Sequence, residues 1–124
     1  MFNSCDNLQT LNLNNWNTSN VVVMGGVGLG SGMFNHCKSL RELDLSSFDT
    51  RDVTDMRAMF ANCSSLETIY IGENWSTSQA NTDNMYFNIS RLPHIFEYTT
   101  INENHLQFEY VVFLMYNINM AKGR

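Results

Sequence analysis

Three stretches of this chain lie over one another without a gap: MFNSCDNLQTLNL from Met1, MFNHCKSLRELDL from Met33 and MFANCSSLETIYI from Met59. Each opens on a Met-Phe pair, sets a cysteine three residues past the Phe and a leucine three further on, and closes on two apolar residues two apart. Internal identity of this kind constrains the fold more than any single motif. A unit of roughly 20 to 50 residues cannot bury its own apolar face, so repeats of that length stack on their neighbours into an elongated array.

Within each copy the apolar residues read LxxLxL: Leu8, Leu11, Leu13, then Leu40, Leu43, Leu45, then Leu66, Ile69, Ile71. The last two of each set have the two-residue spacing of one face of a strand, which makes their neighbours point outward. After the strand the period changes. Val53, Met56, Met59 and Cys63 recur every three or four residues, which predicts a helical or 3-10 return segment capped by Asp49, Thr50 or Asp52. Trp16, Phe48 and Trp75 mark the turn between them, with Trp75 one residue late.

Met33 and Met59 stand 26 apart, as do Met59 and Met85, whereas Met1 and Met33 stand 32 apart. The six extra residues fall in the glycine-rich VVVMGGVGLGSG, and an insertion at about 25–32 looping out of one coil is expected. The domain reading is therefore an array over residues 1–95, in copies 1–32, 33–58 and 59–84 with a partial copy 85–95, followed by a cap or irregular tail over 96–124. In that tail Leu106, Phe108, Tyr110 and Val112 alternate as a strand would, and a covering strand would shield the open end. Open ends also make self-association through the coil edges an expected behaviour. Met1 already occupies the repeat's own Met position, so the sequence reads as a piece of something longer.

With the repeat in view, the pattern MFxxCxxLxxLxLSxFxTxxVxxM resembles the BspA-like leucine-rich repeat, also called the mycoplasma-type lipoprotein repeat. Residues 33–71 carry it most fully, residues 1–24 carry it with Asn14 for the Ser and Trp16 for the Phe, and residues 72–95 carry it loosely. The resemblance implies an α/β-type solenoid, a right-handed leucine-rich-repeat coil. Short parallel strands would line its concave side, with helical, 3-10 or irregular return segments behind. It also implies a bacterial cell-surface protein that adheres to host matrix proteins or other microbes. Any membrane attachment would run through parts outside this chain.

On that fold the concave face displays Thr10, Asn12 and Asn14, then Glu42, Asp44 and Ser46, then Thr68, Tyr70 and Gly72. The partner-binding set is expected among them, with Tyr70 as anchor, because an exposed aromatic flanked by polar groups is typical of an interface hot spot. The plain alternative is a solvated sheet face. Cys5, Cys37 and Cys63 share one repeat position and are expected to form a structural ladder of buried free thiols, since stacked coils rarely orient two sulfurs for a disulfide.

Chemistry is poorly provided for. The net charge of −5 arises entirely in the first 85 residues, where nine acids face four bases, so the basic footprint of a nucleic-acid protein is missing. The glycine run contains neither GxGxxG nor a lysine-bearing phosphate loop. His36, adjoining Cys37, has no second ligand at zinc spacing, and His36, His94 and His105 accompany no nucleophile motif. The reading is a non-enzymatic protein-binding module without metal or cofactor, a fragment of a surface repeat protein; the alternative is a structural spacer extending a larger surface lipoprotein.

Overall fold

The computed structural model describes residues 1–97. Three four-residue strands form one parallel sheet in the order β1 (Glu42–Leu45), β2 (Thr68–Ile71), β3 (His94–Glu97). Glu42 pairs with Thr68 and Thr68 with His94; Leu43 pairs with Ile69 and Ile69 with Ile95. The register therefore advances by the repeat spacing at each step. Leu43, Leu45, Ile69, Ile71 and Ile95 point inward and are buried, while Glu42, Asp44, Thr68, Tyr70, His94 and Phe96 point outward. Phe96 and Glu97 thus extend the fourth copy two residues beyond the boundary expected at 95.

Two further columns of contacts join the copies behind the sheet. Val23 bridges Asp55, and Asp55 bridges Asn81, in parallel. At the Met-Phe pairs, the N–H of Phe2 donates to the carbonyl of Met33 at 2.9 Å, Phe34 to Met59 at 3.0 Å and Phe60 to Met85 at 2.9 Å. Such lateral hydrogen bonds satisfy backbone groups that burial would otherwise leave without water.

No helix occurs among the described residues. The three-residue period of the return segment comes instead from consecutive turns, in which Met59 N–H donates to Met56, Ala61 to Ala58, Cys63 to Phe60 and Leu66 to Cys63. What keeps them from becoming a helix is backbone handedness. Ser4, His36, Asn62 and Asn88 stand at one repeat position, and all four take φ between 57° and 64°. A left-handed residue in every copy ends any right-handed helical run, and Asn tolerates that conformation better than most side chains. Of the expected caps, Asp49 accepts the N–H of Arg51 at 3.2 Å and also pairs with its side chain at 2.7 Å, while Thr50 bridges two copies.

The first copy departs from expectation, because residues 8–14 form no strand. Serine hydroxyls of the second copy reach across instead, Ser39 Oγ to the Asp6 carbonyl at 2.6 Å and Ser47 Oγ to the Leu13 carbonyl at 3.0 Å. The glycine insertion leaves the coil after Gly25 and rejoins it at Gly32, closed by Met33 N–H donating to the Met24 carbonyl at 3.0 Å. Those two glycines are required. A Cβ on Gly25 would lie 2.2 Å from the Arg57 nitrogen, and one on Gly32 would lie 2.0 Å from the Ala58 oxygen. The slip at Trp75 is absorbed locally: Trp75 is buried, and the Asn81 bridge to Asp55 restores the spacing. The expected strand over Leu106–Val112 lies outside the described residues.

The second copy and the opening Met-Phe pair of the third form the centre of the core. Phe34, Leu45, Phe48, Val53, Met56, Met59 and Phe60 have no solvent exposure. Phe2, Phe34, Phe60 and Tyr86 stack in a column with ring centroids 5.6, 5.8 and 5.6 Å apart and planes within 13° of parallel. Full burial of Phe34 and Phe60 stabilises by about 1.5–3 kcal/mol each, with roughly 0.5–1.5 kcal/mol more from each aromatic pair. The buried threonines add polar rungs. Thr18 Oγ1 accepts from Asp49 N–H at 2.9 Å and donates to the Asp49 carbonyl at 3.0 Å; Thr50 does the same to Ser76 at 2.6 and 2.9 Å.

Candidate functional site

The outward rows of the sheet set two ladders side by side, Glu42, Thr68, His94 and Asp44, Tyr70, Phe96. Parallel in-register pairing is what brings them together, since each residue inherits the place of its counterpart in the neighbouring copy. The Tyr70 and Phe96 rings stack at 5.9 Å, His94 lies 6.2 Å from Phe96, and the Tyr70 hydroxyl donates to Glu42 Oε1 at 3.5 Å. Beside them runs a shallow groove of about 580 Å³ lined by Gln9, Thr10, Leu11, Arg41, Glu42, Asp44, Glu67 and Tyr70. Arg41 and Glu67 face one another across copies at 3.1 Å, both largely exposed, an ion pair worth little in stability.

The expected site residues divide into groups. Glu42, Asp44, Thr68 and Tyr70 share the sheet face, and Thr10 joins them on the groove wall. Asn12 and Asn14 are exposed but outside the sheet, and the Asn12 side chain accepts the N–H of Asn14 at 3.0 Å. Asp44 makes the same turn with Ser46 at 2.9 Å, so one carboxylate oxygen is engaged in holding the strand end. Gly72 lies where a Cβ would meet the Ser46 carbonyl at 2.2 Å, and serves packing. His94, Phe96, Arg41 and Glu67 were not among the expected partner-binding residues, although adding one repeat length to Thr68 and Tyr70 reaches His94 and Phe96, and Arg41 is likewise one repeat from Glu67.

Cys5, Cys37 and Cys63 are free thiols, the last two buried. Cys37 Sγ donates to the Phe2 carbonyl at 3.1 Å and Cys63 Sγ to the Phe34 carbonyl at 2.9 Å, so each thiol ties its copy to the one before. Burial pushes the Cys37 thiol up to about 11 and the Cys63 thiol to about 12, which suppresses the nucleophilic thiolate. Among the described residues no three of His, Cys, Asp and Glu gather closely enough to hold a metal ion, and no helix is long and apolar enough to cross a membrane.

Behind the sheet, Arg51 and Arg57 each clasp the acid two residues before them with two hydrogen bonds, holding the Asp49 and Asp55 carboxyls below their usual range. These pairs brace turns and take no part in the groove. No curated protein and no solved structure matches this chain. The repeat does match a family. Residues 1–103, covering the repeated region and β3, fit the family described as "Mycoplasma protein of unknown function, DUF285", and the chain belongs to that family.

Proposed function

We propose that this chain is a non-enzymatic protein-binding module, a BspA-like leucine-rich-repeat solenoid from a cell-surface protein, whose outward sheet face engages a protein partner in adhesion. The observation that carries the reading is the row Asp44, Tyr70, Phe96 beside the groove walled by Thr10, Glu42 and Glu67. Stacked aromatics with polar neighbours on a rigid sheet offer low-entropy contact area, the usual composition of an interface centre. The parallel pairing at the repeat spacing supports the solenoid reading, and the buried thiols and braced acids favour a scaffold over a catalyst.

Immobilised matrix proteins probed with the chain test the proposal. Tyr70→Ala is expected to weaken binding about tenfold or more, and Asp44→Ala by a smaller factor. Binding that ignores both changes, in variants whose melting is otherwise normal, refutes the assignment of this face.

A further inference from the structure

The acids of the described copies fall into two kinds. Asp49 and Asp55 are each clasped at 2.7 Å by the arginine two residues on, and Glu67 faces Arg41 at 3.1 Å. Glu42 and Asp44, on the outward face of β1, have no arginine or lysine partner among the described residues. Their charge also does nothing that the repeat needs. Asp44 accepts the Ser46 N–H at 2.9 Å, and Asn12 closes the equivalent turn of the first copy at 3.0 Å with a neutral amide. Thr68 and His94 take the Glu42 position in the next two copies, as Tyr70 and Phe96 take that of Asp44. Both carboxylates open on the groove of about 580 Å³ that Thr10, Leu11 and Tyr70 also wall, where three carboxylates stand against one guanidinium.

We propose that the partner of this face presents a cationic segment, an arginine or lysine side chain that enters the groove and takes Glu42 and Asp44 as its counter-charge. The proposal rests on the reading of the sheet face as a protein interface and names the chemistry of what covers it. Asp44 pairs directly with Tyr70 in the sheet, and Glu42 Oε1 lies 3.5 Å from the Tyr70 hydroxyl. Covering the aromatic row therefore takes water from both carboxylates. A carboxylate stripped of water without a counter-charge is strongly unfavourable, which penalises a neutral or acidic partner at the very contact that would hold it. A cationic side chain reverses the sign, since it makes charge-assisted hydrogen bonds there. The rest of the groove suits such a side chain, because Leu11 and the Tyr70 ring offer an apolar wall to its methylene stem. Arg41, the groove's own cation, is directed at Glu67 and leaves Glu42 and Asp44 uncompensated.

A short labelled peptide alternating arginine with serine, and its counterpart carrying neutral citrulline at each arginine, test the proposal on the full chain by fluorescence polarisation. The arginine peptide is expected to bind and the citrulline peptide not. Glu42→Gln combined with Asp44→Asn is expected to weaken the arginine peptide at least about tenfold, with melting unchanged because an amide already closes the first copy's turn. Asp52→Asn combined with Asp83→Asn alters net charge by the same amount at two exposed acids outside the groove, and is expected to change binding less than about twofold. No binding by the arginine peptide, equal binding by the citrulline peptide, or equal losses in the two double variants overturns the proposal. Matrix-protein binding that falls with Tyr70→Ala but ignores the Glu42 and Asp44 changes keeps the sheet face as an interface and overturns its cationic partner. Arginine-peptide binding that behaves as expected while no matrix protein binds supports the cationic partner and refutes adhesion to matrix.

Discussion

Replacing Thr50 by valine separates hydrogen bonding from packing in holding the copies together. Thr50 is 1% exposed; its Oγ1 accepts from the Ser76 N–H at 2.6 Å and donates to the Ser76 carbonyl at 2.9 Å. Valine fills the same volume and removes both bonds, orphaning a backbone donor and acceptor of the half-buried Ser76. At a junction only partly buried each orphaned group costs about 1–2 kcal/mol, so the pair is expected to cost about 2–4 kcal/mol. Serine keeps the hydroxyl and loses one methyl, a change of about 1 kcal/mol. Urea titration and thermal melting read the difference, and for a domain of this size the valine variant is expected to melt about 8–16 °C lower. The order matters more than the size. If Thr50→Ser is as damaging as Thr50→Val, or if Thr50→Val is within about 1 kcal/mol of the parent, packing and not the bridging hydroxyl holds this junction, and the argument fails.

Thiol labelling of the folded chain should modify Cys5 and spare Cys37 and Cys63 until denaturant is added, and rapid labelling of Cys63 at neutral pH would contradict the burial that pushes its thiol up to about 12. Gly32→Ala should destabilise by about 1–3 kcal/mol, because the new methyl meets backbone and not a movable side chain. Gly30→Ala, with nothing within 4 Å, should be near neutral, and equal melting of the two variants would dismiss the close-approach argument. Glu97, half-buried with Glu73 nearby, has its carboxyl raised by burial first and by that charge second. A raised folded-state value means that the protonated form is favoured, so its contribution is present below the ordinary glutamate range and lost as pH rises through the folded value. Glu97→Gln should therefore raise the melting point at pH 7 and have less effect below pH 4, and an equal gain at both would refute the assignment.

Much of the architecture was legible because its cause is periodic. Leu43, Ile69 and Ile95 are spaced by the same 26 residues that the sheet register keeps. Alternation within ELDL and TIYI already separates the inward Leu and Ile from the outward Glu42, Asp44, Thr68 and Tyr70. The return segment was left open between helical, 3-10 and irregular forms for a physical reason. A three-residue apolar period is common to helices and to chains of turns, and only the positive φ at His36 and Asn62 distinguishes them. Asn at that position was a weak signal; His36 and Ser4 gave none.

Other features required neighbours in space. Nothing local to TLNLN differs from ELDLS enough to withhold a strand, yet the first copy meets the second through Ser39 and Ser47 hydroxyls while the second and third share a ladder. The extent of the fourth copy was hidden because Phe96 and Glu97 break the apolar pattern, and it is pairing with Tyr70 and Ile71 that makes them a strand.

The sequence by itself determined the period, the inward and outward residues of each strand and the columns into which Phe, Cys and Leu would fall, because all of these follow from spacing along one chain. Tertiary structure alone decided which hydroxyl bridges which carbonyl and where a glycine must admit a neighbouring backbone. Those depend on contacts between residues a full repeat or more apart, whose geometry no local pattern contains.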